Sequence, residues 1–323
     1  MKTLLTLLFL LILIKPGFSQ QDPQYSQYMF NTLVINPAYA GYRETQNISL
    51  LHRDQWTGFD GAPKTQSLIV DGAFGDNKKV GLGLSIINDK AGLQRQTSAH
   101  ANYAYRIPVG EDARLAFGIS VGLGQFTLNS SSANLQDETD PNFADKQTFF
   151  VPEARFGIHY SNAKFYAGLS ATNLISNSIN YEQVGKNTIA RRGRNYFLTA
   201  GYLVDLNSNF KFKPSFLIRE DIKGPTNLDV NSYVLIKEAL WIGATYRTGV
   251  NLWKKNDWNN GTFNQNSLVG VVEAFVLKNL RVGYSYDYSL SSLGDYSNGT
   301  HEISLGLILK TTKKSALLTP RYF

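Results

Sequence analysis

The chain predicts an all-β fold: a transmembrane antiparallel β-barrel of about 14 strands, with a short N-terminal plug or collar segment. Three observations predict it. Between Asn47 and Lys310, segment after segment alternates apolar and small or polar residues with period two. The connections between these segments alternate in length, as periplasmic turns and outer loops do. Beyond the N-terminal run, no stretch approaches the ~18 consecutive apolar residues of a membrane helix, so any crossing is made by strands.

The first residues hold Lys2, an apolar run from Leu4 to Ile14, a break at Pro16-Gly17, and small residues Gly17 and Ser19 ahead of a cut after Ser19. This is a secretory signal peptide over 1–19, because the apolar run is too short for the ~20 residues a spanning helix needs. Segment 20–46 follows as a periplasmic plug, with Tyr25, Tyr28, Met29, Phe30 and Tyr39 as aromatic and apolar residues that need cover. Pro23 and Asn36-Pro37 interrupt any regular period, so one or two helical turns from Tyr25 to Leu33 and then an irregular loop are expected. The barrel occupies 47–310 and a periplasmic tail 311–323.

Within the barrel, Leu115, Phe117, Ile119, Val121 and Leu123 share one face, opposite Ala116, Gly118, Ser120, Gly122 and Gly124. Leu280, Val282, Tyr284, Tyr286 and Tyr288 likewise oppose Arg281, Gly283, Ser285, Asp287 and Ser289. A soluble sandwich also alternates, but its wet face carries Lys, Glu and Thr against edge association, whereas this one is mostly Gly, Ser and Ala. Strands are expected at about 47–55, 63–74, 79–89, 94–107, 113–127, 148–161, 164–174, 195–206, 210–221, 227–237, 239–250, 264–277, 280–290 and 300–310. Long connections at Asn129–Gln147, Ser176–Arg194, Asn251–Phe263 and Ser291–Gly299 fall at one end and short turns at the other, which puts both termini in the periplasm.

Composition excludes several classes. The 323 residues include no cysteine, which rules out disulfides, thiolate metal sites and a lipid-modified N-terminal cysteine. The formal charge of +7 has no recognised nucleic-acid fold behind it, so no nucleic-acid partner is expected. A hydrophobic fraction of 43% and a mean hydropathy of −0.22 suit a barrel with one greasy and one polar face as well as a soluble protein. The 18 Tyr and 19 Phe favour strands and interfacial girdles.

Chemistry is sparse. His52, His100, His159 and His301 lie in different strands without metal-ligand spacing, and nucleophile-elbow, Walker and zinc-protease motifs are missing. No enzyme activity, cofactor or metal is expected, although His159 beside Ser161 leaves a lipid-hydrolysing barrel open. Charges of both signs fall on inward faces: Glu153, Arg155, Arg219, Arg247, Glu273, Arg281, Asp287 and Glu302. Opposite charges confined in a lumen should pair, which points to a filled interior, with a solvated porin as the alternative. Trp56, Phe59, Trp253 and Trp258 on outer loops are candidate anchors for a partner or interfacial aromatics. Arg321, Tyr322 and Phe323 in the tail are candidates for a periplasmic contact.

Four stretches resemble the PorP/SprF family of Bacteroidetes along the whole chain: Gln21–Asn31 with Ile35–Gly41, Arg53–Thr65, Gly283–Asp287 with His301-Glu302-Ile303, and Pro320–Phe323. The resemblance implies a cell outer-membrane component of the type IX secretion and gliding apparatus. It also implies partners: outer-membrane lipid, the C-terminal domain of type IX cargo adhesins, and periplasmic lipoproteins of the machine. A passive porin, a lipid-modifying barrel and a soluble lectin-like sandwich are the competing readings.

Overall fold

The computed structural model describes residues 23–75, 77–129, 146–175, 193–221, 226–252 and 266–309. Its strands are β1 Gln46–Asp54, β2 Lys64–Phe74, β3 Val80–Ala91, β4 Gln94–Pro108, β5 Arg114–Asn129, β6 Lys146–Ser161, β7 Phe165–Thr172, β8 Asn195–Tyr202, β9 Val204–Asp205, β10 Phe210–Asp221, β11 Thr226–Ile236, β12 Leu240–Val250, β13 Ser267–Leu277, β14 Leu280–Ser289 and β15 Thr300–Leu309. Each pairs antiparallel with its neighbour in sequence, and β15 closes on β1 from Gln46↔Leu309 to Asp54↔His301. The short β9 continues β8 along the same edge of β10, past a hitch at Leu203, so the two fill one place in the wall. The result is a closed meander of fourteen strand positions with no free edge around its girth, as the sequence predicts.

The alternation sets which side chains line the lumen. Phe117, Ile119, Val121 and Leu123 are exposed on the outer surface of β5, while Ala116 and Ser120 between them are buried inside. Tyr284 and Tyr288 face out of β14, and Arg281, Ser285 and Asp287 face in. An apolar outer wall facing hydrocarbon and a polar inner wall are what a membrane barrel requires. Exposed aromatics gather toward both rims: Phe74, Tyr105, Phe117 and Tyr202 near the short turns, Tyr196, Tyr246 and Tyr288 near the opposite end.

Local chemistry makes the short turns. Asn162 Oδ1 accepts from the N–H groups of Lys164 and Phe165, and Asn207 Oδ1 from those of Asn209 and Phe210, so an asparagine closes each hairpin. The other end is not uniformly long. Gly92-Leu93 alone joins β3 to β4, with Gly92 at φ +56° in the left-handed region a two-residue turn demands.

Candidate functional site

Segment 25–41 lies buried inside the barrel. It forms three single 3-10 turns, Tyr28–Phe30, Thr32–Val34 and Pro37–Tyr39, in place of the helical turns expected from Tyr25 to Leu33. Asn31 (φ −142°, ψ 47°) breaks the first from the second. Asn36 is extended and its side chain accepts from Ala38 N–H, with Pro37 opening the third turn. A chain this irregular leaves many backbone groups without internal partners, and a buried unpaired group costs roughly 1–3 kcal/mol. Wall side chains supply what the segment lacks.

At the end of the barrel where β1 and β14 finish and β15 starts, a carboxylate clamp holds the amino end of the segment. The two oxygens of Glu302 accept the N–H groups of Ser26 (3.0 Å) and Gln27 (2.7 Å). Ser26 Oγ donates to Asp287 at 2.7 Å, and Arg53 reaches Asp287 (2.7 Å), Glu302 (3.0 Å) and Ser26 Oγ (2.8 Å). Arg247 grips Asp229 through two parallel bonds of 2.9 Å and donates to Tyr25 O at 3.2 Å. Gln27 also donates to Glu302 O and accepts from Ser304 Oγ. Because Arg53 is on β1, Glu302 on β15 and Asp287 on β14, the clamp straddles the seam where the last strand meets the first.

Further along, the wall offers donors to carbonyls: Arg155 to Val34 O (3.2 Å), Ser170 to Ile35 O (2.6 Å), and Asn36 in turn donates to Ile158 O (3.1 Å). At the short-turn end Asp71 accepts Gly41 N–H (3.0 Å), Arg106 donates to Gly41 O (2.8 Å), and Glu44 pairs with Arg106 (3.1 Å) and Arg114 (3.2 Å). The backbone fits because the wall is glycine where it passes. A Cβ on Gly118 would overlap the backbone at Ala38, one on Gly81 the Ala40 carbonyl, and one on Gly157 the Asn36 amide.

One side of the lumen is apolar. Tyr233, Leu235, Trp241, Val269 and Val271 of β11–β13 pack with Met29, Phe30, Leu33, Val34 and Ile35 into a core inside the barrel. The Phe30 ring meets Tyr233 edge-on at 6.3 Å and Trp241 at 6.4 Å. Each such side chain, fully buried, contributes about 1.5–3 kcal/mol.

The expected lumen charges all lie inside. Arg247, Asp287 and Glu302 meet in the clamp, Arg281 pairs with Glu273 at 3.0 Å, and Glu153 lies between His100 and Arg155. Tyr25, Tyr28, Met29, Phe30 and Tyr39 are all buried in the lumen. Trp56 and Phe59 sit at the long-loop end, Trp56 at φ +50° with its N–H donated to Thr300 Oγ1. Trp253, Trp258, Arg321, Tyr322 and Phe323 lie outside the described residues. His159 stands among Tyr39, Tyr42 and Tyr166 with Nε2 unpartnered, while His301 faces outward against Tyr284. Among the described residues no three His, Asp or Glu side chains could hold a metal.

Within the described residues, the start of the segment and the end of the last strand lie at opposite rims. Gln24 borders cavities of about 70 and 30 Å³ beside the clamp, the smaller shared with Pro23, at the long-loop mouth, whereas β15 ends with Leu309 at the short-turn end. Sequence periodicity gives no account of this path, nor of Arg53, Asp229, Arg106 and Asp71. The apolar lumen wall left a trace: Tyr233–Ile236 and Val271-Val272 are apolar on both faces, where a water-lined strand would alternate.

A family model described as type IX secretion system membrane protein PorP/SprF matches residues 17–307. No curated protein sequence matches the chain. Among solved structures the chain is similar to the CymD monoaromatic hydrocarbon channel, at TM-score 0.54 and 10% identity, covering 92% of this chain and 96% of that one. It is also similar to the Acinetobacter baumannii outer membrane protein Omp33, at TM-score 0.47 and 8% identity over 83% of this chain and 100% of that one. At such identities the likeness to CymD shows the fold alone, an outer-membrane barrel.

Proposed function

We propose, from the premise that the chain belongs to the PorP/SprF family of type IX secretion system membrane proteins, that this barrel is a docking component of the machine rather than a conduit. The filled lumen carries this reading. With segment 25–41 bonded to the wall along its length, the outer loops and the periplasmic rim are the working surfaces. On this reading the long loops face outward and hold the C-terminal domain of a secreted adhesin, helping it reach or stay on the cell surface. The short turns and the tail 311–323 face the periplasmic lipoproteins of the secretion or gliding apparatus. Residues 1–19 are removed as a signal peptide.

Trp56, Phe59, Trp253 and Trp258 are the proposed outer anchors, because large aromatics supply most of the energy at small docking patches. Tagged protein extracted in detergent from its own outer membrane is expected to bring down a large surface protein bearing a type IX C-terminal domain. The Trp56→Ala and Phe59→Ala variants should recover roughly tenfold less of it, about 1.4 kcal/mol, while keeping the folded barrel. Recovery of the barrel alone would count against the docking reading. The competing reading is a passive porin or small-solute transport barrel, and open conductance of the intact protein would favour it.

A further inference from the structure

We propose that the N-terminal segment threads the barrel from end to end, so that its amino end is displayed at the outer, long-loop mouth while the C-terminal strand ends on the periplasmic side. The path is fixed at three levels. Glu44 and Gly41 are held by Arg106, Arg114 and Asp71, which lie where β4 ends, β5 starts and β2 finishes, all at the short-turn rim. Asn36, Ile35 and Val34 are held midway, at Ile158, Ser170 and Arg155 of β6 and β7. Ser26 and Gln27 are held by Arg53, Asp287 and Glu302, one or two residues from the long-loop ends of β1, β14 and β15.

The chain therefore enters β1 from the short-turn rim after crossing the whole lumen in the opposite direction. Pro23 and Gln24 are half-buried rather than enclosed, and Gln24 lines the larger mouth cavity with Trp56, Asn266, Ser297 and Thr300. The amino end thus adds its own surface to the one formed by the outer loops. Which mouth is extracellular rests on the orientation given under the proposed function; the threading itself does not.

Because the natural chain has no cysteine, single cysteines report the side directly. Gln24→Cys, Asp60→Cys in the β1–β2 loop and Lys278→Cys in the β13–β14 turn would be treated with a membrane-impermeant maleimide on intact and on permeabilised cells. Each variant is first confirmed as a folded, heat-modifiable barrel. Threading predicts that Gln24→Cys labels together with Asp60→Cys on intact cells, with at least tenfold less labelling of Lys278→Cys until permeabilisation. Gln24→Cys following Lys278→Cys, or labelling in neither condition, would overturn the proposal. Lys278→Cys labelling on intact cells while Gln24→Cys and Asp60→Cys stay silent would leave threading intact and invert the orientation.

Discussion

At the scale of single residues, the clamp and the internal core are unlike each other in what their loss should do. Glu302 is buried and accepts two consecutive backbone N–H groups together with an arginine, so Glu302→Gln keeps the shape but strands part of the charge on Arg53. Removing one partner of a buried pair costs about 3–5 kcal/mol, and the folded electrophoretic band of Glu302→Gln should convert to the unfolded one at a clearly lower temperature. Phe30→Ala leaves a cavity against Tyr233 and Trp241 and should cost a similar ~3–5 kcal/mol without altering any ion pair.

At the scale of elements, the plug segment and the strands it crosses were shaped together. Gly118 and Gly81 leave room for backbone and Gly157 for the Asn36 side chain, so Gly118→Leu places a side chain where Ala38 lies and should expel the third 3-10 turn. The expected result is a folded barrel whose lumen segment becomes open to added protease, tested by limited proteolysis in detergent with the natural protein as the resistant control. Strands were legible in the sequence because their signal is local: in β5 and β14 each residue's face follows from its parity alone. All fourteen positions follow from that parity and from turn chemistry, although most expected bounds differ from the observed ones at one end or both, the start of β13 (264 expected, Ser267 observed) differing most. The path of segment 25–41 was not legible, because its conformation is dictated by partners from 27 to 277 residues away, such as Arg53, Ile158 and Ser304. Parity placed Glu302, Asp287 and Arg247 inside, but only the closure of β15 on β1 brings Arg53 to meet them.

At the scale of the whole molecule, the contacts that hold the plug also join the strands that close the barrel. The clamp bridges β14, β15 and β1, so the amino end of the plug joins the strands that meet last when a meander closes. A chain lacking 23–41 should therefore lose both the stopper and a brace across the seam. On the proposed function the N-terminal segment occludes the lumen and leaves the two rims as the working surfaces. Planar-bilayer recording of the purified full-length protein, alongside a variant lacking residues 23–41 and verified as a folded barrel, tests it most directly. The full-length protein is expected to show no steady conductance and the shortened one open-channel steps. Large steady conductance from the full-length protein, without any partner present, would contradict it.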